Sequence, residues 1–238
     1  MQEILRSNMT TRMAIDEQHE LKEINVPEMP QQPKLLKFFA KIISVILHPL
    51  FIPVYVVWFL LYVQPYYYAG FSDWDKSLVL IRAILMYSFF PLVTVGLLKA
   101  LNFIDSIFLK TQRDRIIPYV VCGIWYFWMW YVWHNLPDTP SVQVKFGFAI
   151  FLASSIGLIA NIYMKVSMHA LAAGVLLVFM LTLGFAQALD SALYLSIAIL
   201  IAGLSCTARL IASDHSQKEV YTGLIIGIIS QLISSWLA

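Results

Sequence analysis

Residues 208 to 219 read ARLIASDHSQKE and set Arg209, Asp214, His215, Lys218 and Glu219 between two long apolar runs. Only 13% of the 238 residues are charged, so this density of ionisable groups at the mouth of a hydrophobic segment is out of keeping with its surroundings. Loop charge at a membrane boundary is readily solvated and means little by itself. The spacing says more. If the segment after Asp214 is helical, His215 and Glu219 stand at i and i+4 on one face, where a carboxylate holds one imidazole nitrogen and leaves the other directed at a substrate. That is the arrangement of an oriented nucleophile or base.

Two further clusters accompany it. LKTQRDRIIPY supplies Lys110, Arg113, Asp114, Arg115 and Pro118, and KVSMH supplies Lys165, Ser167 and His169. Taken singly, each cluster has a plain structural explanation: a basic membrane anchor, a pair of helix caps, a solvated helix start with Glu near its N-terminus. Jointly they bring several cations, two histidines and a carboxylate to one side of the chain, which is the parts list for phosphoryl transfer through a covalent histidine. Lys and Arg would neutralise the non-bridging oxygens, one His would attack phosphorus, and the other would protonate the departing alkoxide. No metal or other cofactor is expected, because His169 and His215 lack zinc-site spacing and no acidic cluster offers a magnesium site. His48, beside Pro49, reads as a kink-associated residue satisfied within the bundle. His134 with Trp125, Trp128, Trp130 and Trp133 reads as an interfacial belt combined with packing.

The elements that must position these residues are membrane helices. At 60% hydrophobic, the chain lies far above the roughly 45–50% apolar content of soluble domains. Its seven Trp suit a protein with many bilayer interfaces, and Cys122 and Cys206 fall inside apolar runs as small buried hydrophobes. Apolar runs at about 40–63, 78–98, 116–136, 146–164, 170–189, 191–208 and 220–238 are each close to the ~20 residues that cross a bilayer. The fold class predicted is all-α, a polytopic transmembrane bundle of about six to seven helices over 40–238. Residues 1–39 form a polar N-terminal tail, without the short apolar core and cleavage site of a secretory signal and with a short helix at most. HPLFIP should kink or interrupt the first run, and Gly223 and Gly227, spaced as GxxxG, predict close packing of the last. With seven crossings the tail and all three clusters share one side, which the positive-inside rule places in the cytoplasm.

The clusters resemble the tripartite signature of the type 2 phosphatidic acid phosphatase superfamily, integral membrane lipid phosphatases whose core is shared with vanadium haloperoxidases. That signature runs Lys, six residues, Arg-Pro; then Pro-Ser-Gly-His; then Ser-Arg, five residues, His, three residues, Asp. The third part is closest here: Arg209, five residues, His215, three residues, Glu219, with Ala208 for Ser and Glu for Asp. The second is reduced to Ser167-Met168-His169, with Val166 for Pro and Met168 for Gly. In the first, Lys110 and Pro118 are in register but Ile117 stands at the Arg position, so that Arg115 or Arg113 must substitute.

Over roughly residues 99 to 238 the resemblance implies a metal-independent hydrolase of lipid phosphates or pyrophosphates in a bacterial inner (plasma) membrane. Phosphatidic acid, phosphatidylglycerol phosphate and polyprenyl pyrophosphates are the substrate types it suggests. His215 would be the nucleophile, Glu219 its orienting carboxylate and His169 the general acid. Lys110, Arg115, Arg113, Lys165 and Arg209 would bind phosphate, with Ser167 adding a hydrogen bond. No nucleic-acid partner is implied. The rival reading is a lipid-phosphate-binding or transport protein that kept the anion pocket after losing turnover. A transporter should show intramembrane charges or broken helices in corresponding halves, and only the first run is broken here.

Overall fold

The computed structural model describes residues 9–15, 21–27, 32–107, 109, 111–186, 191–212 and 215–237. Lys110 and Asp214 lie outside them. Ahead of the bundle stands an antiparallel hairpin of β1 (Met9–Ile15) and β2 (Leu21–Pro27), with Met9 opposite Pro27 and Ile15 opposite Leu21. Strand thus replaces the short helix that the polar composition allowed for. The β-branched Thr10, Thr11, Ile15, Ile24 and Val26 in these two stretches favour extended backbone.

Helix α1 (Lys34–Ile46) starts six residues before the expected boundary, so Lys34 and Lys37 belong to the same helix as Lys41 rather than to the tail. It does not run on into the next helix. Proline at 49 lacks an amide hydrogen and disfavours helical backbone at His48, and the chain turns through residues 47–51 before α2 (Ile52–Trp58), which carries Pro53 in its first turn. The expected first membrane run is therefore two helices joined by an elbow. A π-helical turn at Phe59–Val63 extends α2, giving an apolar helix shorter than a full span.

Helices α3 (Asp73–Ile84) and α4 (Phe90–Ala100) are joined through a π-helical turn at Leu85–Phe89 into one apolar rod. Pro91 cannot donate into that ladder, and the wider turn absorbs the missing bond. Ser72 starts α3 with a reciprocal capping box to Asp75. Then come α5 (Gln112–Asn135), capped by Thr111, α6 (Ser141–Tyr163), α7 (Met168–Ala186), α8 (Ser191–Ile211) and α9 (Gln217–Leu237). Among the described residues six helices are long and apolar enough to cross a membrane: the α3–α4 rod and α5 to α9. The chain is an integral membrane protein built as an all-α bundle.

Leu60, Leu61, Tyr87, Met129, Trp133, Phe146 and Phe179 are wholly buried at its centre. Of the aromatic cluster on α5, Trp133 packs inward against Tyr87, Trp125 stacks on Phe90, and Trp128 is exposed. Helix α7 sits between α8 and α9, and α9 also lies along α6. The α7–α9 crossing is close because glycines face each other: a Cβ on Gly227 would overlap the Leu171 carbonyl, and one on Gly174 the Leu224 carbonyl. The GxxxG expectation holds, and its partner is α7.

Antiparallel succession gathers the C-terminal ends of α6 and α8 with the N-terminal ends of α5, α7 and α9. At the opposite end Tyr68 donates to Gln143 in the first turn of α6. His48 lies against His169, in the first turn of α7. Between His48 and Tyr68 the chain therefore passes from one end of the bundle to the other, and α1 belongs to the end that holds His169.

Candidate active site

His215 is 2% exposed, and its two ring nitrogens have partners of opposite character. Nδ1 lies 3.0 Å from the Lys165 carbonyl and 3.4 Å from Glu219 Oε2, both acceptors. Nε2 lies 3.4 Å from Arg115 Nη2, which only donates. The neutral tautomer with the proton on Nδ1 satisfies every contact, and it leaves the Nε2 lone pair directed at a cation. Burial is the main reason the imidazole is pushed down to about 4, with Arg115, Arg209 and Lys165 adding to the effect and the Glu219 hydrogen bond opposing it. At neutral pH the ring is uncharged, with the lone pair of Nε2 available.

Glu219 reaches His215 by a route the sequence half-disclosed. Helix α9 begins only at Gln217, so the pair does not lie on one helical face. Instead Ser216 and Glu219 form a capping box: the Glu219 amide donates to Ser216 Oγ at 3.3 Å, and Glu219 Oε2 accepts from the Ser216 amide at 2.9 Å. The cap turns the carboxylate back over the start of the helix, and His215 is the residue just before it.

KVSMH contributes its backbone as much as its side chains. The Lys165 carbonyl takes His215 Nδ1, the Val166 carbonyl takes Arg115 Nη1 at 2.7 Å, and the Ser167 amide donates to the Glu219 carbonyl at 3.2 Å. Ser167 is fully buried and its Oγ accepts the Ala170 amide, which makes it the N-terminal cap of α7. Gly223 keeps this junction tight, since a Cβ there would come within 2.6 Å of the Ser167 carbonyl. The Lys165 side chain is half-buried.

Two arginines were candidates for one role. Arg115 is 6% exposed and its guanidinium is braced by Nε donating to the Leu109 carbonyl at 2.8 Å as well as by Val166. Arg113 is exposed. Positions two apart on a helix point about 200° apart, so only one of the pair can enter the bundle. A reciprocal amide clamp holds the first turn of α5 to the end of α6, with Gln112 Nε2 donating to the Asn161 carbonyl and Asn161 Nδ2 to that of Gln112.

His169 and Arg209 meet residues that the motif reading omitted. His169 Nε2 lies 2.9 Å from the Ser44 carbonyl on α1, and Arg209 Nη1 lies 3.5 Å from Ser44 Oγ. The rings of His48 and His169 are 5.2 Å apart, edge to face at 83°. His48 Nδ1 accepts the Leu50 amide at 3.3 Å, which agrees with a satisfied residue at a kink, but its ring also walls the site. Burial, then Arg209, push the His48 imidazole down to about 4. Arg209, His48 and His215 are all close enough to His169 to act on it electrostatically. The only advance signal for Ser44 and His48 was the HPLFIP break itself.

Among the described residues no three His, Cys, Asp or Glu side chains converge as a metal-ligand set. The arrangement is a membrane-embedded cluster of two arginines, three histidines and a carboxylate at one end of a helical bundle. Comparisons with protein-family models, curated proteins and solved structures return no match to this chain.

Proposed function

We propose that this protein is a membrane phosphatase, similar to the type 2 phosphatidic acid phosphatases, that hydrolyses a lipid phosphate or pyrophosphate through a phosphohistidine. The observation that carries the reading is the polarity of His215: a fixed Nδ1 proton on one side and an Nε2 lone pair facing Arg115 on the other. A phosphoryl group bound to Arg115 would lie beside the attacking nitrogen. Arg209 and Lys165 complete the cationic surroundings in this reading, and Lys110, outside the described residues, is kept as a phosphate-binding candidate on the motif alone.

In the first half-reaction Nε2 bonds to phosphorus as the bond to the lipid oxygen breaks. The positive charge that develops on the His215 ring is held through Nδ1–H by the Lys165 carbonyl and Glu219. His169 takes the proton of the incoming phosphoryl monoanion and gives it to the departing alkoxide. In the second, His169 takes a proton from water, the hydroxide attacks phosphorus, the N–P bond breaks, and inorganic phosphate leaves with His215 neutral again. Arginines suit this task because the guanidinium fork matches phosphate oxygens and keeps its charge when buried.

The substrate's acyl or prenyl chains would remain in the bilayer while the headgroup enters the site-bearing end of the bundle. In this reading that end faces the cytoplasm of a bacterial inner membrane, on the side of the lysines of α1. The test is phosphate release by purified protein from phosphatidic acid, phosphatidylglycerol phosphate and a polyprenyl pyrophosphate, with and without EDTA and vanadate. Turnover that survives EDTA and is blocked by vanadate is expected. Activity abolished by EDTA and restored by magnesium would refute the mechanism, and vanadate binding without turnover on any lipid would favour the binding or transport alternative.

A further inference from the structure

The elbow between α1 and α2 lies outside all three motifs, yet it supplies the contacts that hold His169. Its geometry stems from Pro49. Without an amide hydrogen at 49, the Val45 carbonyl cannot receive its helical partner and instead takes the His48 amide at 3.3 Å. The Ser44 carbonyl, which that amide would have capped in a continued helix, accepts from His169 Nε2. An α-helix carries partial negative charge on its last carbonyls, so the end of α1 draws an N–H donor toward it. The His169 ring meets His48 edge to face, and the orientation of His48 is set by its bond from the Leu50 amide.

The parallel with His215 is close. There a backbone carbonyl at Lys165 fixes which nitrogen bears the proton; here the carbonyl at Ser44 does so, with the opposite nitrogen. Because Ser44 holds Nε2–H, the proton that His169 exchanges with a leaving group must be carried on Nδ1. We propose that the α1–α2 elbow is a working part of the site, in which the Ser44 carbonyl and the His48 ring orient His169 to act through Nδ1. His48 is then a positioning residue. The inference rests on the phosphatase reading for its kinetic consequence, but not for the tautomer it assigns.

Two variants separate the ring of His48 from its role in the turn. His48→Asn keeps an acceptor for the Leu50 amide and removes the ring; His48→Phe keeps a ring and removes the acceptor. With full-length protein in lipid nanodiscs, His48→Asn should lower kcat on an alkyl lipid phosphate by about tenfold and on p-nitrophenyl phosphate by less than about twofold, with KM unchanged. His48→Phe should recover most of that loss. Equal losses on the two substrates, or a Phe variant as impaired as the Asn variant, would overturn the proposal. In parallel, 15N NMR of histidine-labelled protein should show His169 protonated on Nε2 in the wild type and a mixture of tautomers in His48→Asn. An unchanged His169 signal in that variant would also overturn it. A wild type inactive on both substrates defeats the phosphatase reading and leaves the NMR result to judge the elbow.

Discussion

The two histidines of the site are held by different kinds of structure. Nearly everything around His215 comes from chain segments with a marked sequence signature: Glu219 four residues on, Ser216 beside it, and the Lys165 carbonyl in KVSMH. His169 is held by α1 and the elbow after it, more than a hundred residues away, through the Ser44 carbonyl and the His48 ring, whose type alone gave no sign of the contact. If His215 is the nucleophile, as proposed, it must be fixed in tautomer and direction before substrate arrives, and the Lys165 carbonyl and the Ser216–Glu219 capping box do this locally. His169, the proton donor in the proposed mechanism, is instead built in at the junction of two elements, α7 and the broken first run. His215 therefore depends on a local motif, whereas His169 depends on the bundle being assembled.

Replacing each histidine should break the comparison most sharply. His215→Ala should lose about 10⁴-fold or more in kcat on every substrate, together with the acid-labile phosphoprotein seen by 31P NMR after rapid quench. His169→Ala should lose about 10²-fold on lipid phosphates but only a few-fold on p-nitrophenyl phosphate, whose leaving group needs no proton. Equal losses on both substrates in His169→Ala would remove the distinction between attack and departure.

Arg115→Lys should cost about 10²-fold in kcat/KM, because an ammonium cannot brace the Leu109 and Val166 carbonyls while facing His215 Nε2. Arg113→Lys serves as its control, since that side chain is exposed, and should change kcat/KM by less than about twofold. Steady-state assays of the two purified variants decide whether only the inward arginine matters.

A smaller effect tests the two tasks of Glu219. Glutamine still completes a capping box but carries no charge. Glu219→Gln should keep the unfolding temperature in detergent close to wild type while lowering kcat about tenfold, since a weaker hydrogen bond to Nδ1 leaves Nε2 less nucleophilic. A large fall in unfolding temperature without loss of turnover would mean that the cap, not the charge, is the reason for the carboxylate.

The least dramatic outcome concerns pH. Burial holds the His215 imidazole at about 4, so the ring stays neutral in mildly acid solution. The acid limb of kcat/KM should accordingly lie near pH 4 rather than near the ordinary histidine value of about 6.5. Stability obeys the same linkage. Between about 6.5 and 4 the unfolded chain binds protons that folded His215 and His48 refuse, so the folded state is favoured fully above 6.5 and loses that advantage as pH falls toward 4. Thermal unfolding recorded across this window should show the decline.

The membrane bundle was legible in the sequence because crossing a bilayer requires long apolar helices, and only composition and run length are needed to see them. So was the pairing of His215 with Glu219, since groups four residues apart at a helix start are brought together by backbone geometry alone, even though a capping box rather than a helical face does it. The close packing at Gly223 and Gly227 was likewise written in residue size. Packing decided the rest. Helical rotation and burial selected Arg115 over Arg113, the Lys165 and Val166 carbonyls took up His215 and Arg115, and the break at Pro49 brought Ser44 and His48 to His169. Backbone carbonyls are the same in every residue, and contacts across more than a hundred positions leave no periodic trace. The sequence therefore specified which chemistry-bearing side chains were present, while the tertiary fold determined which nitrogen each histidine turns toward the others.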